Sequence, residues 1–252
     1  MISKTTNENG RLGNLVIRNL CLSILAKKYD LCAEYYEYNN INNILGIELF
    51  TGGSKKYNKT IRILNSDFMK YLKNDIENNA NFDLMDDYFQ NEEITNILHK
   101  HLINNMKNII DKNPFKERYN NNNDVFLHIR LSGLCPKFHD NKIEKYGLEY
   151  YTHCINLLKY DNIYIASDDF NHDLIKKIKN LYPKVIFIEK NEVETIQFGS
   201  TCKNIILSHG TFSAIIGYLG FYSSNIYFLN KEPKWHPIDI FINKGFIPID
   251  LN

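Results

Sequence analysis

The chain has 252 residues, 44% of them hydrophobic and 23% charged, a composition typical of a folded globular protein that excludes one dominated by disorder. Its 30 basic and 29 acidic residues leave a net charge of +1, so no overall field would draw the molecule to nucleic acid or to an anionic membrane. We therefore expect no nucleic-acid partner, and any site for an anion must be local.

The first half of the chain has a mixed pattern with long, Asn-rich connections. A helix-period run from Leu12 to Leu25 leads into a Tyr-rich strand candidate, Leu31 to Tyr38, and a polar helical stretch follows from Glu93 to Ile110. The stretch Gly52 to Lys56 lacks the spacing of a phosphate-binding loop, and we interpret it as a turn. These residues indicate an irregular α/β unit.

Four consecutive asparagines, Asn120 to Asn123, favour turns over helix interiors and indicate a linker. We therefore predict an N-terminal α/β lobe at residues 1–123 and a C-terminal lobe at residues 124–252.

The second half alternates short apolar strands with helical patterns, which indicates right-handed βαβ units and a parallel sheet buried on both faces. Residues 124–230 therefore resemble a Rossmann-type domain, and the chain is predicted to be an α/β protein with two Rossmann-like lobes and a cleft between them. The predicted strands are Val125–Ile129, Ile163–Ala166, Val185–Ile188 and Ile205–Leu207, and the helical patterns are Leu148–Leu158, Leu174–Leu181 and Glu192–Phe198.

The apolar runs and the cysteines argue for a cytoplasmic protein without a membrane span. The longest apolar stretches, such as Ala214 to Phe221, fall far short of the ~20 residues that a span needs. Polar residues at Asn7, Glu8 and Asn9 stand where a signal peptide would be apolar. The five cysteines contain no CxxC pair or metal-like cluster, so we expect reduced thiols and no bound metal.

A short polar loop, Gly10-Arg11-Leu12-Gly13-Asn14, precedes the first helical run. Its glycines would let backbone N–H groups approach a ligand closely, and the start of a helix favours an anion. The alternative is a plain turn into the helix with Asn14 as the N-cap.

The segment His128-Ile129-Arg130 ends the strand that begins at Val125. An arginine at the carboxyl edge of a sheet can donate a pair of hydrogen bonds to a diphosphate, and it can stabilise the charge that grows on a leaving nucleoside diphosphate. The alternatives are a surface ion pair for Arg130 and, for His128, an imidazole that orders the arginine without taking part in the chemistry.

Two further polar segments follow strands. In Ser167-Asp168-Asp169 the carboxylates could accept hydrogen bonds from a ribose or a base, although either residue type is also a good N-cap; the spacing does not match a metal-binding DxD. In His209-Gly210-Thr211-Phe212-Ser213 the hydroxyls of Thr211 and Ser213, with the N–H groups of a helix start, could form a phosphate nest, and capping would explain one hydroxyl.

In this order the four segments resemble the motifs of GDP-fucose-dependent fucosyltransferases related to the bacterial α-1,2-fucosyltransferases (glycosyltransferase family 11), namely GGLGN, HxRRGDY, SDD and STFSWWGAWL. Protein O-fucosyltransferases share a GRFGN version of the first. Further similarities are Tyr150-Tyr151 with the family's YY helix, Ser200 to Ile206 with its "SLCKHNII", and Pro233-Lys234-Trp235 with its "PKKW".

The resemblance implies a GT-B-type fold and inverting, metal-independent transfer of L-fucose from GDP-fucose to a hydroxyl of a glycan acceptor, without a cofactor. It also implies that the lobe at residues 1–123 is on the acceptor side and that the lobe at residues 124–252 binds the nucleotide sugar. It implies catalytic roles for Arg130, which would neutralise the β-phosphate, and for His128. The residues it implies for binding the nucleotide sugar are Gly10, Arg11, Gly13, Asn14, Arg130, Ser167, Asp168, Asp169, Gly210, Thr211, Phe212 and Ser213.

The chain departs from the family pattern after the second motif. Leu131, Ser132 and Gly133 replace the family's second Arg, Gly and Asp, and Ala214-Ile215 replaces the paired Trp. These differences concern the acceptor and the linkage formed. Another GDP- or UDP-linked deoxyhexose and a non-catalytic nucleotide- or glycan-binding protein therefore stay open as alternatives, and the general base is open among Glu8, Asp140 and His128.

Overall fold

The computed structural model of the chain describes residues 1–5, 11–36, 40–85, 87–131, 142–231 and 237–251, with residues 142–146 described by their helical backbone alone. The chain forms two compact units, residues 1–113 and 114–252. Each contains a parallel sheet with helices, so the predicted α/β class with two Rossmann-like units is confirmed. The cleft between the units stays a prediction.

The first unit has a four-stranded parallel sheet with strand order β2-β1-β4-β3. Its strands are β1 (Ser3–Lys4), β2 (Ala33–Glu34), β3 (Thr60–Arg62) and β4 (Asn81–Asp83), and its helices are α1 (Leu12–Tyr29), α2 (Ile41–Ile44), α3 (Asn65–Lys73), α4 (Glu92–Asn104) and α5 (Met106–Lys112). The predicted polar helical stretch thus corresponds to the two helices α4 and α5. The Tyr-rich strand candidate contains a strand at Ala33–Glu34.

Helix α1 forms the core of the first unit. Nearly every residue from Leu12 to Ala26 is buried, whereas an amphipathic helix buries one face. The loop at Gly53 packs tightly beside the end of this helix, since a Cβ on Gly53 would lie 1.9 Å from the carbonyl oxygen of Leu31. The predicted turn at Gly52 to Lys56 is therefore a close-packed loop, and at position 53 only glycine fits.

The second unit has a six-stranded sheet in which every neighbouring pair is parallel, with strand order β10-β9-β8-β5-β6-β7. Its strands are β5 (Val125–Ile129), β6 (Ile163–Ser167), β7 (Ile186–Phe187), β8 (Asn204–Ile206), β9 (Asn225–Leu229) and β10 (Ile247–Ile249), and its helices are α6 (Lys142–Asn156), α7 (Asp173–Leu181), α8 (Glu192–Gly199) and α9 (Thr211–Tyr218).

This strand order is that of the Rossmann fold. From β5 the chain moves outward through β6 to β7, then returns to place β8 on the other side of β5 and continues outward through β9 to β10. The direction of winding therefore switches between β5 and β8, and sheets of this kind bind ligands outside the carboxyl ends of the strands at that switch point.

The central strand β5 is buried along its whole length, since all five of its residues are buried. Its apolar side chains pack with those of β6, α6 and α7 into one core, which includes Leu127, Ile165 and Ile175. The two edge strands are short: β7 has two residues, and β10 has Pro248 at its middle position.

The segment before β5 belongs to the second unit. Arg118, in a short 3₁₀ helix at Lys116–Arg118, donates to the carboxylate of Asp124 (2.8 Å) and lies 4.4 Å above the ring of Phe198. The amide of Asn122 donates to the carbonyl of Thr201 (2.9 Å). The asparagine run is thus fixed by these contacts, and the boundary between the units falls between Asn113 and Pro114, earlier in the chain than 123/124.

Candidate functional site

The carboxyl ends of β5, β6 and β8 lie side by side in the sheet and carry three of the four sequence motifs. Arg130 follows β5, Asp168 follows β6, and the loop Ser208–Gly210 follows β8. The structure therefore brings these motifs together at the switch point of the second unit, where the geometry of the fold predicts a ligand.

Arg130 is fixed at both its backbone and its side chain. Its N–H donates to the hydroxyl of Ser208 (3.3 Å), and a Cβ on Gly210 would lie 3.0 Å from its Nη1 atom. Gly210 also has a φ of +103°, a conformation that favours glycine. Gly210 is thus favoured by its backbone conformation, and its missing Cβ also lets the guanidinium approach closely.

Helix α9 begins directly after this contact, with Gly210 as its N-cap. Glycine has no side chain to accept hydrogen bonds from the first N–H groups, and the first turn contains no acidic residue. These N–H groups and the guanidinium of Arg130 make the local field positive, which suits an anion. Thr211 is almost fully buried in this first turn, and Phe212 is partly exposed.

His128 lies on β5 and faces the start of α9. Its Nδ1 is 2.8 Å from the hydroxyl of Ser213, and its ring lies 5.0 Å from that of Phe212 at a tilt of 34°. Burial lowers the pKa of His128 to about 4, an effect that the nearby Arg130 reinforces and that Asp168 opposes. The imidazole is therefore neutral at physiological pH.

The hydroxyl of Ser213 has a second partner, the N–H of Ser208, which donates to it at 2.8 Å. Ser213 has no exposed surface, and its hydroxyl lies within hydrogen-bond distance of Nδ1 of His128. The Ser213 hydroxyl therefore has partners in β5 and in the loop after β8. Its place in a phosphate nest stays a prediction.

Two tyrosines of α6 hold the backbone of the same region. The hydroxyl of Tyr151 donates to the carbonyl of His128 (2.8 Å), and that of Tyr150 donates to the carbonyl of Leu207 (2.9 Å). Burial raises the pKa of both phenols, so they remain donors. The sequence singles out this pair by resemblance but does not predict its contacts. It also gives no signal for Ser208 beyond its place next to the fourth motif.

The Ser167-Asp168-Asp169 segment makes a turn rather than a helix cap. Asp168 is exposed, and one of its carboxylate oxygens accepts the N–H of Leu131 (2.7 Å). Asp169 accepts the N–H of Asn171 (2.9 Å). The alternative interpretation as an N-cap is wrong, since α7 is capped by His172, whose Nδ1 accepts the N–H of Leu174 (3.2 Å).

The first motif lies in the other unit, after β1 and at the start of α1. The helix begins at Leu12, so the exposed Arg11 is at the N-cap position and Gly13 and Asn14 are in the first turn. The alternative with Asn14 as N-cap is therefore wrong. The side-chain oxygen of Asn14 instead accepts from the amide of Gln90 (2.8 Å).

Several predicted features lie outside the described residues: Gly10, Glu8, Asp140, Ser132, Gly133 and the segment Pro233 to Trp235. Within the described ranges, no group of three or more His, Cys, Asp or Glu side chains is placed to hold a metal ion. None of the helices in those ranges is long and apolar enough to cross a membrane. The four described cysteines, Cys21, Cys32, Cys154 and Cys202, are free thiols.

No protein-family model and no curated protein matches the sequence. Among solved structures, the α-1,6-fucosyltransferase NodZ co-crystallized with GDP is similar over 64% of this chain and 58% of its own, with a TM-score of 0.42 and 13% identity. Fucosyltransferase NodZ from Bradyrhizobium gives the same coverage, with a TM-score of 0.41 and 13% identity.

A third similar structure is POFUT1 in complex with GDP, which matches over 88% of this chain and 96% of its own, with a TM-score of 0.47 and 12% identity. The chain thus spans 58% of the length of NodZ and nearly all of POFUT1. These structural neighbours are fucosyltransferases, each distant from this chain in sequence.

Proposed function

We propose that the chain is an inverting, metal-independent glycosyltransferase that moves L-fucose from GDP-fucose to a hydroxyl of a glycan acceptor, in the manner of an α-1,2-fucosyltransferase. The observation that carries the proposal is that Arg130 packs against Gly210 at the start of α9, at the β5/β8 switch point, an arrangement suited to an anion. The motif resemblance supplies the nucleotide and the sugar.

In this proposal Arg130 and the first N–H groups of α9 bind the β-phosphate of the donor. The bond between the sugar and the β-phosphate breaks as the acceptor oxygen forms a new bond on the opposite face and gives up its proton to a general base, for which Glu8 and Asp140 are the candidates. Negative charge grows on the departing GDP. The guanidinium of Arg130, which packs against Gly210 while Ser208 bonds the backbone of the same residue, would stabilise that charge. It supplies the positive charge that a divalent ion provides in other transferases.

Asp168 is proposed to bind the nucleoside. It is exposed at the end of β6, next to the strand that carries Arg130, and acidic residues at this place in Rossmann folds accept hydrogen bonds from a ribose. Thr211 is proposed to assist at the phosphate from the first turn of α9. His128 is not proposed as the general base, because it is buried and its Nδ1 is occupied by Ser213.

The experiment is release of GDP from GDP-fucose in the presence of a mixture of glycan acceptors, with EDTA throughout. We expect turnover by the wild type, turnover reduced to background by Arg130→Ala, and no release of UDP from UDP-linked sugars. A higher rate of GDP release from another GDP-linked deoxyhexose would show that this sugar, and not fucose, is the one transferred. Activity that disappears with EDTA and returns with a divalent ion would contradict the metal-independent mechanism, and tight GDP binding without turnover of any donor would indicate a non-catalytic protein.

A further inference from the structure

A chain of contacts connects the buried ring of His128 to Arg130. His128 bonds the hydroxyl of Ser213, that hydroxyl accepts the N–H of Ser208, and the hydroxyl of Ser208 accepts the N–H of Arg130. The three contacts join β5, the loop after β8 and the start of α9. Because the loop includes Gly210, on which the guanidinium rests, these contacts determine where Arg130 lies relative to the helix start.

We propose that His128 and Ser213 form a buried positioning pair that holds the loop Ser208–Gly210 against Arg130, and that neither side chain contacts the diphosphate. The inference rests on the proposed anion site and replaces the direct roles that the motifs suggest for both residues. In the proposed pair Nδ1 of His128 accepts the hydroxyl proton of Ser213, and the oxygen of Ser213 accepts the N–H of Ser208.

The surroundings of His128 favour the neutral ring that this role needs. Tyr151 reaches its backbone from α6, Phe212 and Ser213 face it from α9, Arg130 follows it on the same strand, and Asp168 faces it from the end of β6. Burial disfavours the imidazolium most strongly, Asp168 favours it, and Arg130 disfavours it with the smallest effect of the three. The balance leaves the ring neutral, and in the proposed pair its one proton is on Nε2.

The test is a double-mutant cycle on the full chain with inorganic pyrophosphate as the ligand, because pyrophosphate carries the diphosphate without base or sugar. Calorimetric titration near neutral pH gives its dissociation constant for the wild type, His128→Phe, Ser213→Ala and the double variant. We expect each single change to weaken binding about 5- to 10-fold, and the double variant to bind no more weakly than the weaker single variant.

Two variants separate positioning from general structural damage. His128→Asn keeps an acceptor oxygen near the place of Nδ1 and should restore binding to within about twofold of wild type. Ser200→Ala removes another buried serine hydroxyl, which bonds the carbonyl of Gln197 and the hydroxyl of Tyr119. Ser200 lies just before β8, at the amino ends of the strands and not at the carboxyl ends that carry the site. It should lower stability and leave the affinity for pyrophosphate unchanged.

Additive losses in the double variant, or a loss with Ser213→Ala that His128→Phe does not share, would overturn the pair and indicate direct contact of Ser213 with the anion. Wild-type affinity in every variant would show that the pair only supports folding. Coupled losses combined with equal affinity for GDP and UDP would leave the pair standing and contradict the proposed donor. A wild type that binds neither pyrophosphate nor GDP would overturn the anion site, and with it both proposals.

Discussion

Arg130 is held before any ligand arrives, because Ser208 fixes its backbone and Gly210 supports its guanidinium. We expect Arg130→Ala to lower the turnover of GDP-fucose by ~10²-fold or more, since a donor aimed at developing charge is lost. The free energy of unfolding should change by no more than ~1 kcal/mol, as for a partly exposed arginine. Turnover assays and urea unfolding measure the two effects.

Arg130→Lys is the matched control for this prediction. It keeps the positive charge and loses the planar pair of donors, so it should restore little activity. A lysine variant with nearly wild-type turnover would show that charge alone is needed, and an active alanine variant would remove Arg130 from the mechanism.

The pKa of His128 predicts an acid-sensitive stability. The folded-state pKa is lowered by burial from 6.5 to about 4, so between these values the unfolded chain binds a proton on this residue and the folded chain does not. The free energy of unfolding therefore contains the full contribution of neutral His128 above pH 6.5. It decreases by up to about 3 kcal/mol as the pH falls toward 4.

Urea unfolding of the wild type and of His128→Asn across this pH range measures the effect. Other titrating groups are common to both proteins, so the difference between the two curves isolates His128. We expect the wild type to lose stability more steeply on acidification than the variant. Parallel curves would show that His128 is accessible to protons in the folded state.

At the scale of elements, the start of α9 depends on a glycine for two separate reasons. Gly210→Ala would place a Cβ 3.0 Å from Nη1 of Arg130 and would strain a backbone at φ +103°. We expect a loss of about 1 kcal/mol or more in the free energy of unfolding, together with weaker binding of GDP. Binding of guanosine should change less, because it lacks the diphosphate.

Gly245→Ala is the control for the effect of backbone strain alone. Gly245 has a φ of +76° and no atom within 4 Å of an added Cβ, so its substitution carries conformational strain without displacing a neighbour. Calorimetric titration of GDP and guanosine into both variants compares them. Equal GDP affinities in the two variants would show that the contact between Gly210 and Arg130 does not matter for binding.

The elements of the second unit follow closely from the sequence, and the exceptions have local causes. The strand at Val125–Ile129 is predicted residue for residue, because a short apolar run between polar segments is typical of a strand buried on both faces. The strands at Asn225–Leu229 and Ile247–Ile249 are not among the predicted strands. In the second of them Pro248 stands at the centre and is an unfavourable strand residue. In the first unit β1 has two residues, too few to show a period.

The sequence predicts where the site lies but not which contacts its residues make. Strand ends place Arg130, Asp168 and Gly210 at one edge, and the structure brings them there. Whether the hydroxyl of Ser213 points outward to a ligand or inward to His128 depends on a partner 85 residues away, which no local pattern encodes. The roles of the binding residues themselves stay predictions.

At the scale of the whole molecule, the proposed donor predicts how ligands change thermal stability. A ligand that binds the folded state alone stabilises it by mass action, by about 2.7 kcal/mol at a hundred times its dissociation constant. We expect GDP to raise the melting temperature by several degrees, UDP and ADP to raise it less, and EDTA to leave these shifts unchanged.

The same series on Arg130→Ala is the control, and there the shift with GDP should largely disappear. Equal shifts for the three nucleotides would contradict the selectivity for GDP. A GDP shift that vanishes with EDTA would contradict the proposed independence from metal.

The two ends of the six-stranded sheet bear on how copies of this chain behave in concentrated solution. In β10 the carbonyl of Ile249 faces inward and accepts the N–H of Asn230, so the neighbouring Pro248 faces outward, where proline has no N–H to offer. The other edge strand, β7, has only two residues with which another strand could pair. Neither end is a template on which a strand from another molecule can be added, so the continuous sheet that builds the site is protected from edge-to-edge aggregation.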